Sequence, residues 1–281
     1  MNFRTIAIFI SLTSSGVFCP AQFYTELLSV QHQQISDSDN ALNRLSNTTV
    51  NMLAPVVREN GDVFLVRGSF ERLQFQQDAW SSGVWSLAIP LGYQWTSRKK
   101  SSLKWTALVI PKWAAGHHRT FDQRDAWQYG LYSLATWTQR PELKFKLGLY
   151  VNQEFFGTFV VPLVGVDWKV CDRLQIFGTL PNNMKVMYQV RPNKIQSAIV
   201  FKSLTRSFRI DHPDFYLRFN ELETKALIEF IAGKSVFQLE GGYVLGKYPQ
   251  LFGNDDDLLG APYNRGLRPK WLVNLGYAFR L

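Results

Sequence analysis

The chain has 281 residues, 15% of them aromatic, and a formal net charge of +9. No stretch beyond the N-terminus offers the roughly 18 consecutive apolar residues of a membrane-spanning helix, which excludes a helical membrane protein. The positive charge favours anionic lipid head groups or anionic solutes over nucleic acid, because the chain begins with an export signal.

Residues 1–21 have the pattern of a secretory signal peptide. Arg4 precedes a short apolar run, and small residues lead up to Ala21, after which cleavage is expected. Removal of Arg4 lowers the net charge from +9 to +8 in the mature chain. Cys171 is then the only cysteine, so an intramolecular disulfide is excluded.

Residues 22–61 are rich in Gln, Ser, Asp and Asn and have weak apolar spacing. They predict an N-terminal extension that lies in the periplasm or folds back into the lumen of the following domain. An additional strand over residues 48–58 is an alternative. Pro55 weakens it, because proline cannot donate to a strand ladder.

From residue 62 onward, strand-like runs alternate with turn residues. The clearest run covers residues 83–96, where Trp85 and Trp95 flank an aliphatic row, as in a strand that faces lipid between two head-group levels. Pro90 removes a ladder donor and predicts a bulge or a weak pair, and a change of apolar face near Glu71 predicts a bulge. The runs are 62–77, 83–96, 101–113, 125–138, 142–154, 158–170, 173–180, 183–191, 194–206, 219–232, 235–248 and 268–281.

The runs number about twelve, and each is near the roughly 9–11 residues of a tilted membrane strand. Every second connection is a short turn, and the long connections share the opposite end. This parity is typical of barrels with short periplasmic turns and longer outer loops. Residues 62–281 therefore predict an all-β, closed, antiparallel up-and-down transmembrane β-barrel of about twelve strands. The last strand is expected to close against the one that begins at Asp62.

The last strand, residues 268–281, has one apolar row and one polar or small row. Within it, Asn274, Gly276, Phe279 and Leu281 follow the order polar, any, Gly, any, any, apolar, any, apolar. This pattern resembles the C-terminal assembly signal of outer-membrane β-barrels. The resemblance implies a location in the cell outer membrane, contact with outer-membrane lipid, and recognition by the barrel-assembly machinery during biogenesis.

A second, narrower resemblance covers the middle of the chain. The segments 162–169, 171–173 and 178–181, followed by Tyr188, are similar to an uncharacterised family of Gram-negative barrel proteins found mainly in Bacteroidota. The resemblance implies the same fold and location. It brings no known activity and no catalytic residues.

Charged residues alternate with apolar ones along the predicted strands. A charge on the lipid face would cost roughly 2–4 kcal/mol near the midplane, so these side chains are expected to line the lumen. The predicted lumen-lining residues are Lys144, Lys146, Glu154, Asp167, Lys185, Lys202, Glu221, Glu223, Lys225, Glu229, Lys270 and Arg280.

Two functions fit such a lumen. Left partly unpaired, the charges would line a narrow channel for small polar solutes, which is the interpretation we favour. Paired with one another, they would fill a closed barrel with a structural or partner-binding role in an envelope complex. A barrel of about twelve strands lies between filled and open barrels, so its size does not decide between the two.

Candidate chemistry is sparse, and the sequence predicts no enzymatic activity, no cofactor and no metal. Residues 211–214, Asp-His-Pro-Asp, would suit a hydrolase at the barrel mouth, but Asp and Pro are natural in a turn. His117 and His118 point opposite ways on an extended chain and make a poor chelating pair. Residues 254–257 resemble part of a calcium loop without its glycine and terminal glutamate. A barrel-mouth hydrolase is therefore the third alternative.

Overall fold

The computed structural model describes residues 25–37, 44–77, 80–97, 102–121, 123–210, 214–253 and 270–281. The predicted signal peptide, residues 1–21, lies outside them, as do residues 211–213 and 254–257. Within the described ranges, the regular structure is β-strand apart from a three-residue 3-10 turn, Arg124–Ala126. No helix in these ranges is long and apolar enough to cross a membrane.

Strand segments form one sheet that closes on itself. They are β1 (Glu26–Asp37), β2 (Arg44–Val57), β3 (Val63–Gln77), β4 (Trp80–Ala88), β5 (Leu91–Thr96), β6 (Leu103–Gly116), β7 (Trp127–Arg140), β8 (Leu143–Glu154), β9 (Gly157–Lys169), β10 (Leu174–Leu180), β11 (Asn183–Arg191), β12 (Ile195–Arg209), β13 (Phe215–Ala232), β14 (Ser235–Gly253) and β15 (Lys270–Arg280). β4 and β5 are two halves of one strand, because both pair with β3 and β6 on either side of a break at Ile89 and Pro90. The interruption predicted at Pro90 is therefore confirmed.

The ring is complete because β2 pairs with β3 and β1 pairs with β15. The fold is a closed antiparallel barrel of 14 strands, which confirms the predicted fold class. The predicted count of about twelve is too low, because two strands precede residue 62.

The predicted domain boundary at residue 62 is corrected by these two strands. β1 and β2 lie within residues 22–61, which the sequence assigns to an extension outside the barrel. β1 pairs with β15 from Glu26↔Arg280 to Asp37↔Lys270. The alternative strand at 48–58 is part of β2. The last strand consequently closes against β1, and not against the strand that begins near Asp62.

The strands run alternately between two ends of the barrel, and we call the end that holds Glu26 and Arg280 the lower end. The turns there are short. Three of them place a residue in the left-handed backbone region that glycine and asparagine tolerate, Gly61 with φ 83°, Asn193 with φ 57° and Gly233 with φ 62°. The longest connections, including residues 254–269, join strands at the upper end. Because two strands are added before residue 62, and not one, the short turns remain at the lower end and the long connections at the upper end. The predicted alternation of short and long connections is therefore confirmed.

The outward face of the barrel carries an apolar belt. Leu147 and Leu275 are 66% and 60% exposed. Aromatic residues flank the belt, with Trp95 near the lower end and with Tyr243 and Trp271, whose ring centroids lie 4.1 Å apart, towards the upper end. A surface of this kind needs a hydrocarbon environment, because in water so large an exposed apolar area would drive aggregation.

The polarity of the two faces reverses towards the upper end. On β3 the outward row begins with Phe64 and Phe70 and continues with Arg72 and Gln74, while Phe75 on the inward row is buried. The sequence predicts a bulge at this change, but the β2–β3 and β3–β4 ladders continue without a register shift. That prediction is wrong, because the backbone keeps its register while the apolar row passes from the outside to the inside. Around β3, the upper part of the barrel has an apolar interior and a polar exterior.

Candidate functional site in the barrel lumen

The predicted lumen-lining residues all lie on strand rows that face the interior. The charged members at the lower end and the middle occupy the levels where the outward row is apolar. Lys144, Lys146, Lys185 and Lys202 are partly exposed. Those that are buried are Glu154, Asp167, Glu221, Glu223, Lys225, Glu229, Lys270 and Arg280.

Arg206 of β12 connects strands from different sides of the lumen. Its guanidinium forms ion pairs with Glu71 of β3 and with Glu221 of β13. The side chains of all three are 14% exposed or less. Because β3 and β12 are not neighbours in the ring, this contact crosses the interior.

A second charged group lies between β1, β13, β14 and β15. Lys225 Nζ is 2.6 Å from Glu240 Oε2 and 3.2 Å from Glu223 Oε2. Gln33 Nε2 donates to Glu223 Oε1 at 2.8 Å, and Asn274 Nδ2 donates to Glu240 Oε2 at 2.9 Å. Amides therefore donate hydrogen bonds to buried carboxylates, which an apolar interior would otherwise destabilise.

At the lower end, Arg280 binds two carboxylates. It holds Glu229 in a bidentate pair at 2.8 and 2.7 Å and Glu26 at 2.8 Å. Gln238 Nε2 also donates to Glu229 at 3.0 Å. Sequence reasoning missed Glu26 and Gln33 because they lie in the segment assigned to the extension, and it missed Glu240 among the lumen-lining residues.

An open part of the lumen lies between β2 and β3 on one side and β10 and β11 on the other. This cavity has a volume of about 380 Å³ and is lined by polar residues that include Arg67, Gln175, Asn183 and Lys185. Arg280 also lines it. The lower lumen therefore combines a polar cavity with fixed charges, as a path for a small polar solute requires.

The interior row of β8 and β9 carries one further ion pair. Lys146 Nζ of β8 lies 2.6 Å from Asp167 Oδ1 of β9. The side chains of Lys146 and Asp167 are 17% and 10% exposed, whereas that of Arg206 is 9% exposed. Water therefore reaches this pair more readily than it reaches Arg206.

The lower rim holds a carboxylate with a shifted pKa. The Tyr93 hydroxyl donates to Asp62 Oδ2 at 2.6 Å, and Asn60 Nδ2 donates to the same oxygen at 2.7 Å. The Tyr93 hydrogen bond lowers the pKa of Asp62 below its ordinary value, against a smaller opposing effect of desolvation.

Two strand ends turn inward near the upper end, while each keeps its ladder with one neighbour, β12 with β13 and β6 with β4. Residues 206–209 of β12 and 113–116 of β6 are buried on both faces, whereas a strand in a barrel wall is buried on one face only. They meet in a parallel bridge between Arg209 and Ala115. We call these two segments the septum. Through the bridge, β12 to β15, β1 to β4 and β6 form a smaller ring at the upper end.

Side chains of β7 and β8 replace the wall neighbour that upper β12 lacks. β11 begins at Asn183, opposite Lys202, so its pairing with β12 does not reach the septum. The backbone N–H of Ser207 donates to Glu154 Oε2 at 3.0 Å, and its carbonyl accepts from Gln128 Nε2 at 3.2 Å. We call Gln128, Glu154 and Ser207 the clasp. Sequence reasoning placed Glu154 in the lumen and missed the other two.

Beside the septum, the interior of the smaller ring is filled by apolar side chains. Phe208 and Phe219 are fully buried, with ring centroids 5.5 Å apart in an edge-on arrangement. The cluster draws on every strand segment of that ring, and its buried members are Ile35, Leu45, Leu73, Phe75, Val84, Ala114, Phe208, Leu217, Phe219, Val244 and Leu272. The septum and this core together occlude the upper lumen.

The predicted assembly-signal residues divide between the two faces of β15. Asn274 is buried and faces inward, and Gly276 leaves room for Gln238, which a Cβ atom would approach to 2.8 Å. Phe279 is partly buried and Leu281 is 62% exposed on the outward side.

The other candidate catalytic and metal-binding residues are not brought together in the described part of the chain. No group of three or more His, Cys, Asp or Glu side chains within the described ranges could hold a metal ion. His117 and His118 lie at the upper rim, and Cys171 is exposed in a lower turn. The 211–214 stretch lies largely outside the described residues.

No protein-family model matches the chain, and no curated protein is similar to it in sequence. Solved structures of outer-membrane barrels resemble it in fold. A Pseudomonas putida F1 outer-membrane channel is 12% identical, with a TM-score of 0.46 over 95% of this chain and 99% of that one. The Pseudomonas putida toluene transporter TodX is 9% identical (TM-score 0.42, 90% and 87% covered), and the NanC porin is 10% identical (TM-score 0.40, 90% and 100% covered).

Proposed function

We propose that the protein is an outer-membrane channel for small polar solutes and that the septum is its gate. The observation that carries the proposal is the clasp: the upper end of β12 lies inside the barrel against β6, and on the edge opposite β13 the side chains of Gln128 and Glu154 take the place of a strand neighbour. Below it lies a polar, charged cavity. Release of the septum would extend that cavity towards the upper end.

The location in the outer membrane is supported by the apolar belt and by the C-terminal residues Asn274, Gly276, Phe279 and Leu281. In barrels of this class the short turns face the periplasm, so the lower end is periplasmic and the upper end faces outward. The barrel-assembly machinery is the proposed partner during biogenesis. Membership of the uncharacterised family, mainly of Bacteroidota, rests on the sequence resemblance and stays a prediction.

A gated channel explains the buried charges better than a permanently filled barrel does. Buried ion pairs seldom stabilise a fold more than apolar residues of similar volume would, because both charges must be desolvated. A barrel with no aqueous state would gain little from Arg206, Lys225 and their carboxylates. In a channel these charges contact water and solute when the gate opens.

The second candidate is a closed barrel that binds a partner in an envelope complex. The apolar core around Phe208 and Phe219 favours it, since such a core resists hydration. The two candidates differ in whether the septum can separate.

A disulfide across the septum tests this difference. Ala115 and Arg209 are paired across neighbouring strand ends, a spacing that a disulfide can bridge. In a Cys171→Ser background, Ala115→Cys with Arg209→Cys should show channel openings in planar bilayers when reduced and none when oxidised. The control pair Ser133→Cys with Leu149→Cys, within the β7–β8 wall, should behave alike in both states. Silence of the reduced septum variant would favour the closed barrel.

A further inference from the structure

The outer wall of the barrel has a groove at its upper end that the channel does not use. It has a volume of about 570 Å³, lies mainly over the outward faces of β1, β2 and β3, and reaches Val84 and Ile210 at the rim of the apolar core. His117 and His118 line it from the β6–β7 connection. Gly83 makes room for this wall, because a Cβ atom at that position would clash with the His117 ring.

The groove begins where the apolar belt ends. On β2 the outward row changes from Met52, which is 60% exposed, to Ser46 and Arg44. The same change on β3 runs from Phe70 to Arg72 with no shift in register. A change from apolar to polar along one outward row marks the boundary between acyl chains and head groups. The groove therefore lies at head-group level, with the belt directly below it.

The chemistry of the groove suits an anion that carries hydroxyl groups. Arg44 and Arg72 supply planar guanidinium groups, which bind phosphate in a bidentate manner. Gln34 and Gln74 supply amides that donate to and accept from hydroxyls. None of the described residues that line the groove is acidic.

We infer that this groove binds the phosphorylated saccharide head group of a lipid in the outer leaflet. The phosphate would lie between Arg44 and Arg72, and the sugar hydroxyls would meet the amides of Gln34 and Gln74. A free phosphorylated sugar would share this chemistry but would leave the adjoining apolar rows unused. A lipid fits both parts, because its acyl chains can lie on the belt below the groove. The inference shares with the proposed function only the placement in the outer membrane.

The test compares binding of one lipid to three forms of the full mature protein in detergent. The probe is a bisphosphorylated glucosamine-disaccharide lipid, with phosphatidylglycerol as an anionic lipid that lacks sugar. Arg44→Gln with Arg72→Gln should weaken binding of the probe at least tenfold. The control, Arg58→Gln with Arg140→Gln, removes two exposed charges near the lower end and should bind as the unmodified protein does.

Equal binding by the groove variant and the control would overturn the inference. So would equally tight binding of phosphatidylglycerol, or complete displacement of the probe by equimolar glucosamine phosphate. Channel conductance, measured in parallel, should be the same in all three forms. No conductance in any of the three forms, with lipid binding as expected, would count against the channel and not against the groove.

Discussion

Ser207 of β12 and Glu154 of β8 are joined through both the backbone and the side chain of the serine. The Ser207 N–H donates to Glu154 Oε2 at 3.0 Å, and the Ser207 hydroxyl donates to the same oxygen. In a β-ladder that N–H would donate to a backbone carbonyl. Here a carboxylate from the interior face of a different part of the wall takes the carbonyl's place. On this edge the septum is thus held by side chains, which a substitution can remove, in addition to its backbone bridge to β6.

Arg206 is expected to be the charge whose loss destabilises the barrel most. Arg206→Met leaves Glu71 and Glu221 without their shared cation, and removal of one partner from a buried ion pair costs about 3–5 kcal/mol. Neutralising both carboxylates as well, with Glu71→Gln and Glu221→Gln, should restore most of the lost free energy of unfolding. Urea unfolding in lipid, monitored by tryptophan fluorescence, measures the free energy of unfolding of the single and the triple variant. A triple variant no more stable than Arg206→Met would contradict the account.

Lys146 should influence ion selectivity once the gate is open. Lys146→Glu places a second carboxylate beside Asp167, whose Oδ1 lies 2.6 Å from Lys146 Nζ. The reversal potential in a salt gradient should then shift towards cations, because the local charge becomes negative. The measurement uses a background in which the clasp is broken. Lys194→Glu, in an exposed lower turn, is the matched control, and equal shifts for both variants would remove Lys146 from the path.

Phe279 and Leu281 are expected to act in insertion, whereas Arg280 acts in stability. Phe279→Ala with Leu281→Ala should abolish assembly and leave the Arg280 ion pairs untouched. Arg280→Gln should assemble and unfold at lower urea concentration, since it loses Glu229 and Glu26. Heat-modifiability and protease resistance of the outer-membrane fraction report assembly. Normal amounts of the double alanine variant in that fraction would refute the assignment.

Asp62 provides a prediction for the pH dependence. Its folded pKa is lowered chiefly by the Tyr93 hydroxyl, so this contribution to stability is complete above the unfolded pKa of about 3.9 and is lost as pH falls through the folded pKa. Tyr93→Phe should move the pKa of Asp62 up towards its ordinary value. A carboxyl-detected NMR titration measures the shift. An unchanged pKa in Tyr93→Phe would mean that the hydroxyl is not the cause.

Much of the barrel could be predicted from the sequence, because a strand between lipid and a polar lumen must alternate apolar and polar residues. From β3 onward, apolar outward rows and charged inward rows mark most strands, and the lengths of the connections give the parity. β1 escaped prediction because both of its rows are polar over much of its length. Ser29 and Gln33 face inward, while His32 and Gln34 face outward beside the groove. No alternation marks such a strand.

The septum could not be predicted, because its contacts are distant in sequence and its chemistry is unremarkable locally. Gln128 and Ser207 are 79 positions apart and are ordinary strand residues in isolation. β10 ends at Leu180 and β11 begins at Asn183, so neither strand reaches the level of the septum. The upper edge of β12 therefore lacks a neighbour from these two strands on that side. The reversal of polarity along β3 was visible in the sequence, but it has two explanations, a bulge or an apolar interior, and periodicity alone does not separate them.

The clasp offers the most direct measurement of the central claim, that the septum closes a channel. Gln128→Ala with Glu154→Ala removes both contacts to the Ser207 backbone, while Glu142→Ala, in an exposed lower turn, removes a carboxylate elsewhere. In single-channel recordings, the clasp variant should be open for at least ten times as large a fraction of the time as the unmodified protein, and Glu142→Ala should match the unmodified protein. A clasp variant that inserts normally and remains as closed as the unmodified protein would contradict the claim.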